Sequence, residues 1–308
     1  MVVNKDDIIF VDSWRQFSSL SPKIHYCSTD SILDFFRKIE GTREKCVLVS
    51  AECDFQICLQ KEYFPNKDIP KFIQMIDWQT YANKTDGYHG IKIGPCVMEG
   101  KCFPQHKYVA KTDRWSHFTF DEIPEEIAIW YTTNLNCEHP KIRLIPFGIN
   151  HDGPEAEAIE FVSGRNNNKG KLLYLNFQDN SVERMLCRRV YSQQKWVTVI
   201  PQPNLPYWEY LNQLSQHVFC LVPISCGIDC YRIWECLYLG VIPILQDNYF
   251  GRTLLSYDLP VLVVDNIYNL SEDLLRKVSK EFSFPTEISE KAKLSYWRNT
   301  ILNDANKI

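Results

Sequence analysis

Residues 219–245 (F-C-L-V-P-I-S-C-G-I-D-C-Y-R-I-W-E-C-L-Y-L-G-V-I-P-I-L) constrain the fold more than any other stretch of the chain. Residues 219–222 have the length and composition of a buried strand. Pro223 ends that run, and residues 225–227 read as a turn of small residues. Asp229 stands where a helix N-cap belongs, and Cys230, Ile233, Trp234 and Leu237 then share one helical face. Gly240 is placed to stop the helix, and residues 241–245 form a second apolar strand. Strand, turn, helix and strand in so short a span make a compact βαβ unit, which favours a parallel sheet. Asp229, Arg232 and Glu235 recur every third position, so they share one side of the helix close to its start. Open α/β sheets bind ligands outside the carboxyl ends of their strands, and the N–H groups of a helix N-terminus favour anions. The expected ligand therefore carries phosphate.

The chain has 308 residues, enough for two ordinary domains or one large one. A hydrophobic content of 45% with 23% charged residues fits a globular protein. The net charge of -4 argues against a general nucleic-acid binder, so nucleic acid is not an expected partner. No segment approaches the about 20 apolar residues of a membrane span. Acidic Asp6 and Asp7 stand where a signal peptide would turn apolar. The twelve cysteines include no C-x-x-C pair, so reduced, mostly buried thiols are expected. Cys226 and Cys230 have a metal-compatible spacing, but no second pair or nearby histidine completes a zinc site. These features predict a cytoplasmic protein.

Strands are expected over residues 8–11, 46–50, 127–131 and 144–150, with a helix over 31–39. Glu52 and Asp54 follow the second strand, well placed to face a cleft, though Asp54 equally suits a turn cap. Residues 64–111 are rich in proline, glycine and aromatics, with short strands expected at 72–78 and 108–110. His106, Asp113 and His117, in or just beyond that region, are general bases by residue type alone. Residues 151–170, acidic and then polar, read as an interdomain linker. Within it, residues 164–171 approach a P-loop but lack its glycine spacing, its Ser/Thr and the preceding strand. Beyond it come a strand ending near Asn176, a helix opened by Ser181 and carrying Arg184 and Arg188, and a strand at 197–200. An amphipathic helix follows at 207–217, with Tyr207, Tyr210, Leu211 and Leu214 on its apolar face. After the opening motif, a strand is expected at 259–264, a helix capped by Ser271, and a last helix at 288–302.

Several pieces form an ordered series: I-P-F-G-I-N at 145–150, L-L-Y-L-N-F at 172–177 with Arg184 and Trp196 behind it, and F-C-L-V-P at 219–223. G-I-D-C-Y-R-I-W-E-C-L-Y-L-G-V-I-P-I at 227–244 and L-P-V-L-V-V at 259–264 complete it. The series resembles the exostosin-type glycosyltransferases in their short soluble form. It covers roughly residues 130–275, and the first 120 residues share only the general layout. One departure stands out. Those proteins usually carry Pro-Arg-Gly after the strand, where this chain has Pro223-Ile224-Ser225; if that arginine helps hold the diphosphate, Arg232, Arg184 or Arg188 must take over, or affinity is reduced.

The resemblance implies a GT-B-like α/β fold of two Rossmann-like domains facing a central cleft. Residues 1–155 would bind the acceptor, 156–285 the nucleotide-sugar, and 286–308 would form a helix crossing back to the first domain. The implied activity is transfer of a sugar, with inversion, from a UDP-sugar such as UDP-xylose to a glycan hydroxyl. The implied donor-binding residues are Asn176, Arg184, Pro223, Ser225, Gly227, Asp229, Arg232 and Glu235, with Glu235 accepting the ribose hydroxyls. The departing diphosphate needs positive charge and N–H groups, which Arg232 and the amides near residues 227–230 supply. Inversion also needs a base for the acceptor hydroxyl. Asp54 is the expected base, with Glu52, Asp113 and His151 in reserve. No cofactor is required, and no D-x-D triplet indicates a metal, although a divalent ion is left open. The alternative is a catalytically silent module that binds a nucleotide or glycan.

Overall fold

A computed structural model describes residues 3–52, 56–59, 101–102, 111–113, 117–120, 123–150, 154–165, 169–179, 181–201, 205–224, 227–282 and 286–308. Two parallel sheets organise the chain. In its first part the strands are β1 (Ile24–Ser28), β2 (Cys46–Ala51), β3 (Gln56–Leu59), β4 (Lys101–Cys102), β5 (Lys111–Asp113), β6 (His117–Phe120), β7 (Ile127–Thr132) and β8 (Ile142–Leu144). Four of them form the first sheet, in the order β1-β2-β7-β8, all parallel. Helix α1 (Ile32–Ile39) connects β1 to β2. All six residues of β2 are buried, as expected of a strand covered on both faces, and this is why it reads as an apolar run with only Ser50 polar. Strands β3 to β6 make a separate mixed sheet inserted between β2 and β7.

Helix α2 (Glu155–Ser163) leads into the second sheet. Its strands are β9 (Lys171–Leu175), β10 (Val197–Val199), β11 (His217–Leu221), β12 (Ile242–Gln246) and β13 (Leu262–Val264), in the order β10-β9-β11-β12-β13 and all parallel. The crossovers carry α3 (Val182–Tyr191), α4 (Tyr207–Ser215), α5 (Tyr231–Tyr238) and α6 (Tyr249–Ser256), and α7 (Glu272–Glu281) follows β13. Counted along the chain the order is 2-1-3-4-5, so it reverses between β9 and β11. In doubly wound sheets that reversal opens a crevice at the carboxyl ends of the two strands.

Several expectations need correction. Residues 8–11 form a single bridge, Phe10 to Ile149, instead of a strand. The N–H of Ile149 donates to Ile9 O at 2.8 Å and that of Val11 to Ile149 O at 2.9 Å. Of the strand expected at 144–150, only Leu144 is in a regular strand, β8, which begins two residues earlier at Ile142. Residues 151–170 are not a bare linker: α2 lies within them and buries Ala156, Ile159 and Val162. A boundary at 155/156 would cut its first turn.

The last helix, α8 (Leu294–Lys307), lies on the first sheet, where Trp297, Ile301 and Ala305 pack with Val47, Val49 and Tyr131. Tyr131 OH donates to Asp304 Oδ2 at 2.6 Å. Tyr238 of α5 ties three segments together: its hydroxyl accepts the Ile9 N–H at 2.9 Å and donates to Ala292 O at 3.1 Å. One apolar cluster contains residues of both sheets, Leu48 and Trp130 from the first and Tyr174 and Leu245 from the second, together with Phe147 and Trp234. Among the described residues no helix is long and apolar enough to cross a membrane.

Candidate functional site

In a parallel α/β sheet each crossover helix starts at the carboxyl edge of the strand before it. The starts of α3 and α5 therefore flank the reversal between β9 and β11, and the first turn of α4, which follows the edge strand β10, reaches α5 through Tyr207 and Tyr210. Arg184 lies in the first turn of α3, which Ser181 caps by accepting the Arg184 N–H at 3.3 Å. The Ser181 hydroxyl also donates to Ile224 O at 2.7 Å, pinning α3 to the loop after β11. Arg184 is 7% exposed, and its guanidinium carbon stands 5.8 Å from the Phe177 ring centroid. Burial raises the pKa of the Cys230 thiol, and the charges of Arg232 and then Arg184 oppose that rise. Both guanidiniums thus bear on the residue just before α5.

Arg232 is partly exposed as a residue, but its Nε is shut off from solvent and has no hydrogen-bond partner. No carboxylate among the described residues comes within ion-pair distance of it. Burial opposes its charge. The acidic groups of Tyr210, Cys230, Cys220 and Glu235 outweigh burial in sum, and its pKa stands above the ordinary arginine value. A desolvated guanidinium N–H without an acceptor is costly, so such an arrangement is suited to an anion from outside the chain.

Glu235, one helical turn further on, is 6% exposed. Tyr207 OH donates to its Oε1 at 3.1 Å, and Tyr210 OH to its Oε2 at 2.6 Å. Burial raises its pKa, opposed first by the charge of Arg232 and then by the hydroxyls of Tyr210 and Tyr207. Both tyrosines read in the sequence only as the apolar face of α4. The one local signal was their spacing of three, which matches that of Arg232 and Glu235. Asn176, at the end of β9, is buried and donates to Tyr174 OH at 3.0 Å, and the Tyr174 ring stacks on Tyr210 at 6.3 Å.

Asp229 behaves differently from expectation. Cys230, not Asp229, occupies the capping position of α5, and no side chain caps that helix. The Asp229 carboxylate accepts the Trp234 Nε1–H at 2.8 Å on Oδ1 and the Phe147 N–H, from the first sheet's side, at 2.9 Å on Oδ2. Its own N–H donates to Asn134 Oδ1 at 2.8 Å. Burial pushes its carboxyl up to about 7, against the N–H groups of Phe147, Trp234 and Cys230. Asp229 joins the two halves of the molecule.

Pro223 and Gly227 are buried on either side of the loop between β11 and α5, and Ser225 lies outside the described residues. Arg188, expected as a substitute for the missing arginine, is engaged elsewhere through all three of its nitrogens. Its Nε donates to Asp179 Oδ1 at 2.8 Å, its Nη1 to Ile200 O at 2.6 Å, and its Nη2 to Phe177 O. On the first sheet, Glu52 follows β2 with φ of 69° and is ion-paired with Arg15. Asp54 and His151 lie outside the described residues, and Asp113 ends β5. Among the described residues no group of three or more His, Cys, Asp or Glu could hold a metal ion. No protein-family model and no curated protein matches the chain, so the crevice itself carries the functional reading.

Proposed function

We propose that the chain is a GT-B-type glycosyltransferase that moves a sugar from a nucleoside diphosphate, a UDP-sugar such as UDP-xylose, to a hydroxyl of a glycan acceptor. The observation that supports this reading best is Arg232. It is a charged guanidinium whose Nε has no protein partner, one turn from a buried carboxylate, where the strand order reverses. As the bond between the anomeric carbon and the phosphate oxygen breaks, negative charge grows on the leaving diphosphate. Arg232 and Arg184, whose charges both act on Cys230, stabilise that charge. The acceptor oxygen bonds to the anomeric carbon from the opposite face and loses its proton to a base, the role given to Asp54.

The test is donor hydrolysis or transfer with UDP- and GDP-sugars, together with thermal melts in UDP. A ligand at about 100 times its Kd should add about 2.7 kcal/mol of stability. Arg232→Ala and Glu235→Ala should remove both the shift and the turnover. Absence of both effects in the unaltered protein would overturn the proposal. The Pro223-Ile224-Ser225 segment, without its arginine, favours one second reading, a silent nucleotide-binding module. That reading predicts the thermal shift without turnover.

A further inference from the structure

We infer that Tyr207 and Tyr210 are positioning residues that orient the Glu235 carboxylate to take two neighbouring hydroxyls of one ligand. The inference rests on reading the crevice as a nucleotide site, and it names the part of the nucleotide, the ribose diol, that these tyrosines help to select. An ionised carboxylate has about four lone-pair positions, two on each oxygen. The phenols of Tyr207 and Tyr210 fill one on each oxygen, at 3.1 and 2.6 Å. One position remains on each oxygen, in the same plane, which is the pattern that a vicinal diol matches. The two rings are themselves held, 6.0 Å apart, with Tyr210 stacked on Tyr174 and Tyr174 packed 4.7 Å from His217.

Nothing else in the described structure orients this carboxylate. Arg232 acts on it as a charge from beyond ion-pair distance and fixes no plane. Loss of either phenol would let the carboxylate turn about its last bond, or let water take the vacated position, and diol recognition would suffer before anion recognition. A purely structural role for the tyrosines would lower stability and weaken every ligand alike.

The experiment measures binding of UDP, 2′-deoxy-UDP and inorganic pyrophosphate to the full chain, to Tyr210→Phe and to Tyr207→Phe. Thermal melts of each free protein run alongside. The unaltered protein should prefer UDP over 2′-deoxy-UDP by about tenfold, the equivalent of about 1.4 kcal/mol. In each variant that preference should fall to about twofold or less, while pyrophosphate affinity stays within about twofold. Tyr207→Phe, at the more exposed of the two residues, keeps the test usable if Tyr210→Phe does not fold. An unchanged preference in a folded variant overturns the inference and leaves the nucleotide reading standing. So does equal binding of UDP and 2′-deoxy-UDP by the unaltered protein. Failure of the unaltered protein to bind either UDP or pyrophosphate overturns both.

Discussion

Asp229 and Phe147 face each other across the two parallel sheets, and the hydrogen bond between them, Phe147 N–H to Asp229 Oδ2 at 2.9 Å, closes the joint. The Phe147 ring stacks on Tyr231, the first residue of α5, with centroids 5.2 Å apart. The helix that bears Arg232 and Glu235 is thereby fixed to the first sheet. Burial holds the Asp229 carboxyl at about 7, above its ordinary value of 3.8. With its pKa raised on folding, the native state keeps this proton when the unfolded chain has lost it. The stability that Asp229 contributes is therefore present below about pH 4 and is lost as pH rises through about 7. Asp229→Asn cannot titrate, and it turns an amide NH2 toward an N–H donor, at a cost of about 1 to 3 kcal/mol. The difference in Tm between the unaltered protein and this variant should shrink as pH rises from about 5 to 8. A widening difference would mean that the N–H donors outweigh burial.

His217 has the opposite sign. Its Nδ1 stands 2.8 Å from Gln213 O, which can only accept, so the ring proton belongs on Nδ1 and Nε2 accepts from Thr198 Oγ1 at 2.8 Å. Burial lowers its pKa from 6.5 to about 4. Below pH 6.5 the unfolded chain takes up a proton that the folded state refuses, and stability is lost as pH falls toward 4. Urea midpoints should show the unaltered protein losing ground to His217→Gln as pH drops through this range. A constant gap between the two would contradict the assignment.

The second sheet was largely legible in the sequence because strands buried on both faces are continuous apolar runs. The expected strand within 241–245 is β12 at Ile242–Gln246, and the helix expected from Ser271 is α7, whose Leu274 N–H that hydroxyl accepts. The failures have physical causes. β1 is an edge strand with a single buried residue, Ile24, and shows no apolar run. α2 reads as an acidic linker because four of its nine residues are Glu or Ser. Asp229 fits an N-cap pattern by local spacing alone. Its partners Phe147 and Asn134 lie far upstream, and only the meeting of the two sheets reveals them. Tyr207 and Tyr210 have the composition of a core face, and their hydroxyl partner belongs to another helix.

Gly148 and Gly41 share a φ of 82° but differ in their surroundings. A Cβ on Gly148 would lie 2.4 Å from Ile9 O, in the backbone that pairs with Ile149, while one on Gly41 meets nothing within 4 Å. Gly41→Ala should cost about 1 kcal/mol, the backbone penalty alone. Gly148→Ala should cost more than about 2 kcal/mol, because it must also push the N-terminal segment away. Denaturant midpoints of the two variants check this, and equal losses would show that the Ile9 contact is soft.

Glu235 is buried and Arg232 has a desolvated Nε one helical turn away, yet the two make no ion pair with each other. The charge of Arg232 opposes the rise in the Glu235 pKa, so removing one alone takes away charge compensation that the other has and should destabilise the fold. Removing both takes away two desolvation costs together. Arg232→Met with Glu235→Gln keeps the side-chain lengths, and the amide oxygen of the second substitution can still accept the hydroxyl of Tyr210 or Tyr207. The double variant should therefore melt at or above the unaltered protein, as when residues kept for binding are replaced by ones chosen for packing. The unaltered protein should gain stability in saturating pyrophosphate or UDP, and the double variant should gain none. A double variant that melts several degrees lower would make the two charges part of the fold's own support. A double variant that still responds to pyrophosphate would move the anion site away from Arg232.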